Sequence, residues 1–260
     1  MKIKLVSLNL WNGGYLFRSV IDFLKDQDAD IVFLQEVYNA HDDALVENYR
    51  SLDALREHLA YPHESFAPAM LDKLLVGKIE EGNAVLSKFP IRSTDIRFFN
   101  EPYSERDPYD SADWPVSPRN LQHVVIDVNG IEVNGFNFQG VYDLDGDNFS
   151  EQRRTMSNTI IDSARGKRNV IIGGDTNARP TNPAMQNIAQ HFTDVFGPEL
   201  KTTFNMRRKD NPGYATSVVD LLYVSPEIHV VNKVCPEVDV SDHLPLVVEL
   251  EITNQKKELG

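Results

Sequence analysis

The sequence predicts an α/β chain with packed β-sheets in one domain, and three observations carry that prediction. Short apolar runs of the kind that form buried strands recur along the chain, at residues 6–10, 31–37, 169–172 and 218–224. Segments with apolar residues at three- and four-residue spacing lie between them, above all 15–27 and 151–164. The two kinds alternate without a regular βαβ beat, and a hairpin signal, Asn129-Gly130, joins two strand-like stretches.

Taken in order, Ile3, Leu5 and residues 6–10 read as a first strand. Residues 15–27 read as a helix through Phe17, Val20, Ile21 and Leu24, and 31–37 as a buried central strand. Leu45, Leu52, Leu55 and Leu59 give 43–59 a helical pattern. Residues 82–91 begin as a strand and stop at Pro90. Residues 100–120 carry Pro102, Pro108, Pro115 and Pro118 among several aromatics and read as a long surface loop, a kind of segment that often serves function. Residues 123–128 and 131–138 form the hairpin. Residues 151–164 form a helix capped by Ser150. Strands follow at 169–172, 218–224, 227–234 and 245–252. The domain is expected to span 1–253, with 254–260 a frayed polar tail.

Composition narrows the classes. The chain has 260 residues, 41% of them hydrophobic, and a formal net charge of −13. That share excludes a mostly disordered chain and a membrane protein. The acidic balance argues against binding duplex nucleic acid by bulk charge, because neutralising phosphates takes Lys and Arg. One cysteine, Cys235, excludes an intramolecular disulfide and an all-cysteine zinc site. Residues 1–10 lack the apolar run of a secretory signal, and no stretch is apolar enough for a membrane span. A soluble, cytoplasmic, monomeric protein is the expectation.

The functional signal is a set of polar residues at the ends of apolar strands. Asn9 ends the first strand, and Glu36 follows 31–35. Asp175 and Asn177 follow Val170-Ile171-Ile172-Gly173-Gly174. Asp220 lies inside Val218-Val219-Asp220-Leu221-Leu222, and Asp242 and His243 precede the last strand. A carboxylate beside a buried strand is costly unless it is paired or binds a metal. Taken singly, each of these residues also fits an ordinary turn, a surface acid or a packed histidine. Five such positions together point to one crevice at the strand ends.

Six ordered blocks carry a resemblance: Leu8-Asn9-Leu10-Trp11, Leu34-Gln35-Glu36-Val37, Gly82-Asn83-Ala84-Val85-Leu86-Ser87, Gly174-Asp175-Thr176-Asn177, Ser217-Val218-Val219-Asp220 and Ser241-Asp242-His243-Leu244-Pro245. Together they resemble the endonuclease/exonuclease/phosphatase superfamily of metal-dependent hydrolases, which includes pancreatic-type deoxyribonuclease and abasic-site endonucleases. The resemblance implies a four-layer α-β-β-α sandwich, two packed central sheets flanked by helices, with the site at one rim. It implies Mg²⁺, or alternatively Mn²⁺, held by Glu36 with Asn9 and Asp242. Asp175 would orient or deprotonate an attacking water, and Asn177 and Asn9 would contact the phosphate. His243 would contact the phosphate or transfer a proton, with Asp220 orienting its ring.

Two departures from the family pattern stand out. The family often has a histidine where this chain has Gln139, in Asn137-Phe138-Gln139-Gly140. An amide donates hydrogen bonds but exchanges no proton near neutral pH. Gln139 is therefore expected to bind a phosphoryl oxygen while another group protonates the leaving oxygen. Trp11 stands where some nucleases carry another acid, which favours a single metal. For substrate binding, Arg207, Arg208 and Lys209 form the densest basic run, and Arg119 at the end of the proline-rich loop is a further phosphate contact. The expectation is a metal-dependent phosphoester hydrolase of phosphodiesterase or nuclease type, acting by metal-activated in-line attack of water on a nucleic acid, a nucleotide or a small phosphodiester. The alternatives are a phosphomonoesterase for a small phosphorylated metabolite and a catalytically weakened phosphate-binding homologue.

Overall fold

The computed structural model describes residues 1–143 and 147–253. The expected polar tail at 254–260 lies outside the described residues. Two mixed sheets stack face to face. The first holds β1 (Lys2–Asn9), β2 (Ile31–Asn39), β3 (His63–Leu74), β4 (Gly77–Ser87), β6 (Glu105–Arg106), β12 (His229–Val234) and β13 (Leu246–Glu251), in the order β12-β13-β1-β2-β4-β3-β6. The second holds β5 (Ile91–Asn100), β7 (Arg119–Val128), β8 (Ile131–Gln139), β9 (Val170–Asp175), β10 (Thr193–Asp194) and β11 (Asp220–Val224), in the order β10-β11-β9-β8-β7-β5.

The strand period of two explains the layers. Ile3, Leu5, Ile31 and Phe33 face inward and meet Val124, Ile126, Ile171 and Leu222 of the other sheet. The alternate residues Val6, Leu8, Val32 and Leu34 face outward, under α1 (Phe17–Gln27) and α2 (Ser51–His58). On the far side Phe136, Phe138, Ile172 and Tyr223 are covered by α3 (Glu151–Ala164) and α4 (Pro183–Ala189). This is the expected α-β-β-α sandwich. Burial on both faces is why the central strands read as continuous apolar runs.

The differences from the sequence reading have local causes. The helix expected over 43–59 is shorter: a 3₁₀ turn at Glu47–Arg50 precedes α2. The Asp42 side chain accepts from the Ala44 amide at 2.9 Å, closing a turn where the helix was expected to start. β3 was missed because Pro68 and a polar composition mask it, and Pro68 sits at a register shift against β4. β5 is an edge strand with seven consecutive exposed residues from Arg92 to Phe98, so it carries no apolar alternation. α4 has Asn182 as its cap and Pro183 at its first position, a start signal that was legible but unused. Among the described residues no helix is long and apolar enough to cross a membrane.

Two parallel pairs, β1–β2 and β8–β9, point their C-terminal ends to the same rim. Asn9 sits opposite Gln35 there, and Gln139 opposite Asp175. On the antiparallel side of β9, Asp220 faces Asp175 directly. Residues distant in sequence thus converge through register alone.

Candidate active site

β2 is not regular where it matters. Its pairing with β4 slips between Leu34 and Val37, and Glu36 in that bulge has φ +55°. A non-glycine residue in that region costs about 1–3 kcal/mol and persists when its surroundings hold it. Here the Glu36 carboxylate accepts from Asn9 Nδ2 (2.9 Å), Gln139 Nε2 (2.7 Å) and the Asn12 amide (2.7 Å). The bulge re-aims the carboxylate from the sheet into the rim cavity. The Asn12 amide reaches it because Trp11, Asn12, Gly13 and Gly14 all have positive φ. Gly13 is required in that turn, since a Cβ there would lie 2.0 Å from the Asn48 carbonyl oxygen.

Asn9, fully buried, joins the two acidic strand ends. Its Nδ2 also donates to Asp175 Oδ2 at 3.0 Å, while its Oδ1 accepts from the Trp11 amide at 2.9 Å. Asp175 Oδ1 accepts from the Asn177 amide at 2.9 Å. Gly174 just before it has φ +147° and packs so closely on β8 that a Cβ would lie 1.9 Å from the Phe138 carbonyl oxygen. The Gly140 carbonyl gathers two donors, Asn177 Nδ2 and Arg119 Nε, each at 3.2 Å.

Behind Asp175, Asp220 Oδ2 lies 2.8 Å from His243 Nδ1. Ser241 fixes the incoming segment: its hydroxyl donates to the Asn9 carbonyl at 2.7 Å and accepts from the His243 amide at 3.2 Å. Burial pushes the Asp175 carboxyl up to about 6, with Asp220 and Glu36 adding to the rise and His243 and the Asn177 amide opposing it. For His243, burial alone would lower the pKa. The carboxylates of Asp220, Asp175 and Asp242 outweigh it and raise the group to about 10, so an imidazolium sits on Asp220.

These groups open on a cavity of about 640 Å³ lined also by Arg106, Trp114, Arg119, Tyr142, Arg179, Lys209 and Tyr214. The structure brings Glu36, Gln139, Asp175, Asn177, Asp242, His243 and Arg119 onto its wall, with Asn9 and Asp220 directly behind. It does not bring Arg207 or Arg208 there. Both are exposed off the cavity, and Arg208 is spent on Asp239 at 2.5 Å. Lys209 is the member of the basic run that lines it, ion-paired with Asp242 and stacked 5.4 Å from Phe204 and 5.5 Å from Tyr214. Gln139 spends one of its two amide N–H donors on Glu36, a contact the sequence did not suggest. Arg119 is not on a surface loop: it opens β7 and is 5% exposed.

Sequence reasoning missed Arg106 and Arg153. Arg153 is 1% exposed and donates to the Asn177 carbonyl at 2.5 Å, holding that loop. Its signal was its place on the buried face of α3, three residues before Met156 and seven before Ile160.

The donor set tests the fit of a divalent cation. Glu36 and Asp175 present carboxylates on either side of one buried amide, a hard-oxygen environment that suits Mg²⁺ or Mn²⁺. Among the described residues, the group of acids and imidazole whose ligand atoms lie within 4.8 Å of one another is Asp175, Asp220 and His243. Because Asp220 and His243 are hydrogen-bonded to each other, this group reads as a proton-handling pair beside an acid, and Glu36 remains the metal candidate.

The model of the Endonuclease/Exonuclease/phosphatase family matches residues 6–243. A search of curated proteins finds no match. Among solved structures, an endonuclease/exonuclease/phosphatase from Beutenbergia cavernae is 20% identical, with TM-score 0.77 over 96% of this chain and 72% of that one. A mannosyl-6-phosphatase from Bacteroides thetaiotaomicron is 19% identical, with TM-score 0.66 over 96% of this chain and 100% of that one. The human Nocturnin catalytic domain with bound sulfate is 15% identical, with TM-score 0.69 over 97% and 95%. At these identities the structural likeness speaks to the fold.

Proposed function

Given that the chain belongs to the Endonuclease/Exonuclease/phosphatase family, we propose that it is a divalent-metal-dependent phosphoester hydrolase. The observation that carries this is the His243–Asp220 pair set against Asp175 at a rim where Asn9 ties Asp175 to Glu36. Glu36, whose carboxylate Asn9 orients, and Asp242 on the same cavity wall would hold Mg²⁺ or Mn²⁺, which would neutralise charge on the phosphoryl and leaving oxygens. Asp175, with a pKa near neutrality, takes the proton of the attacking water. Asn177 and Arg119, both beside the Gly140 carbonyl, hold phosphoryl oxygens. His243 supplies a charged donor to the phosphate or the leaving oxygen, and Asp220 fixes its ring. Gln139 holds Glu36 in place and transfers no proton.

A phosphodiester is the first reading for the substrate. One observation favours a phosphomonoester of a small metabolite instead: the cavity, about 640 Å³, has the size of a small-ligand site. Purified protein assayed with bis-nitrophenyl phosphate and nitrophenyl phosphate, with Mg²⁺, Mn²⁺ or chelator, tests both. The expected result is metal-dependent nitrophenolate release that chelator abolishes and Glu36→Ala removes, with the faster ester naming the class. No metal-dependent release from either ester, with Glu36→Ala and His243→Ala matching the parent, would favour the phosphate-binding homologue and overturn the proposal.

A further inference from the structure

Glu36 reaches the rim through one inserted residue. Phe33 faces the other sheet and Leu34 faces the helices. Strand alternation would put Glu36 on the Leu34 face, in the helix layer, and Val37 between the sheets. Val37 instead packs in the same outer cluster as Leu34. The extra residue is taken up at the bulge, where Leu34 pairs with Ala84 and Val37 already pairs with Gly82.

This bulge lies in a central strand, between β1 and β4, whereas bulges favour sheet edges. Its backbone groups need the partners that a regular ladder would have supplied. On the β1 side the chain supplies them. The Leu10 amide donates to the Gln35 carbonyl at 3.0 Å, and the Gly13 amide to the Glu36 carbonyl at 2.8 Å. On the β4 side the partner comes from the other sheet. Asn137, fully buried on β8, places its Nδ2 3.0 Å from both the Leu34 and the Ala84 carbonyl oxygens, the last regular pair before the bulge. Its Oδ1 accepts from Gln35 Nε2, inside the bulge, at 2.7 Å. One side chain thus grips the two residues that precede Glu36 and the strand that faces them. Gln122, opposite Asn137 on β7, steadies it: its Oε1 lies 3.2 Å from the same Nδ2, and its own amide is held by the Ser65 carbonyl at 2.9 Å. An asparagine suits this place because the bulge offers both acceptors and a donor, and an amide answers both without charge.

We propose that Asn137 is a positioning residue for Glu36: reaching across from the second sheet, it holds the β2 bulge and so sets how the Glu36 carboxylate is presented to the cavity. This rests on the reading of Glu36 as a metal ligand and adds the group that fixes its geometry.

Asn137→Leu removes donor and acceptor at nearly constant volume. Asn134→Leu is the control. Asn134 lies on the same strand, is 1% exposed and is hydrogen-bonded to His123 and the Arg168 carbonyl, but it shares the helix-covered face of Phe136, away from the bulge. Two quantities are read on the folded full chain. One is the affinity for Mn²⁺ alone, by calorimetry. The other needs no metal: hydrogen exchange of the Asn12 amide, which donates to Glu36 Oε2 at 2.7 Å and so reports where that carboxylate is. Both variants should lower the urea midpoint, because each leaves buried polar groups without partners. Only Asn137→Leu should weaken Mn²⁺ binding, by about 10–100-fold, the scale for groups that orient a metal ligand, and only it should expose the Asn12 amide to exchange. If Asn137→Leu does not fold, Asn137→Ser, which keeps one donor, should show the same pattern to a smaller degree.

An Asn12 amide as protected in the Asn137 variant as in the parent, or equally exposed in the Asn134 variant, overturns the proposal. In a parent that binds Mn²⁺, unchanged affinity in the Asn137 variant overturns it too. Selective exposure of the Asn12 amide, in a parent that neither binds Mn²⁺ nor hydrolyses the nitrophenyl esters, would sink the hydrolase reading alone and leave this inference standing.

Discussion

Two buried clusters at the same rim are built to one formula, two carboxylates around one cation, and they do opposite work. In the first, Arg106 is shared by Asp72 and Glu81, and the Tyr38 hydroxyl adds a hydrogen bond to Asp72 at 3.2 Å. In the second, His243 lies on Asp220 and against Asp175. Arg119, buried, feels the charges of Arg106 and Glu81 in the first cluster and of Asp175 in the second. A guanidinium stays charged at any working pH and fits a carboxylate through two parallel bonds, so the first cluster is a strut. An imidazolium is charged only while its partners keep it so, and it can give its proton up. The choice of cation separates a brace from a reactive group.

The sharpest way to break that comparison is to measure turnover. His243→Gln should reduce hydrolysis of the nitrophenyl esters by about 10²–10⁴-fold, the range expected for a lost proton-transfer group. Arg106→Lys should leave kcat within a fewfold of the parent, because the strut touches no reacting atom. Equal kcat losses in the two variants would erase the distinction.

The next effect is in stability. Arg106→Ala leaves Asp72 and Glu81, 0% and 2% exposed, without their cation. Breaking a buried pair in this way costs about 3–5 kcal/mol. A clear fall in the urea midpoint should follow. Glu81→Gln should cost less, because the amide oxygen can still accept from Arg106 Nη2 and Asp72 keeps the guanidinium paired. A midpoint unchanged in Arg106→Ala would mean that the cluster carries no stability and is not a strut.

The two clusters also differ in how far the sequence revealed them. Asn9, Glu36, Asp175 and Asp220 each sit at or beside an apolar run, a local pattern that needs no partner to be noticed. His243 was visible through the block that precedes the last strand. Arg106 was hidden because its meaning lies in Asp72 and Glu81, 34 and 25 residues away, on strands that Pro68 and polar composition disguised. Lys209 stood out only as part of a charged run, and nothing local distinguishes the residue that turns inward from Arg207 and Arg208. The layers of the fold were legible for a similar reason: strands buried on both faces announce themselves, whereas the half-exposed edge strand β5 does not.

The smallest predicted effect is a slope against pH. With chelator present, the folded His243 holds its proton to about 10, against an ordinary value near 6.5. A folded pKa above the unfolded one contributes stability that is complete below about pH 6.5 and is lost as pH rises through 10. The Asp175 carboxyl, raised to about 6, has already exacted its cost below that window, between about 4 and 6. The stability difference between the parent and His243→Gln should therefore shrink as pH rises from 6.5 towards 10, by at most about 1.4 kcal/mol per pH unit. Urea midpoints at four pH values in that range suffice to measure it. A difference that stays flat would mean that the imidazole is neutral throughout. The proton would then have to reach the leaving oxygen from another group, and both clusters would be braces.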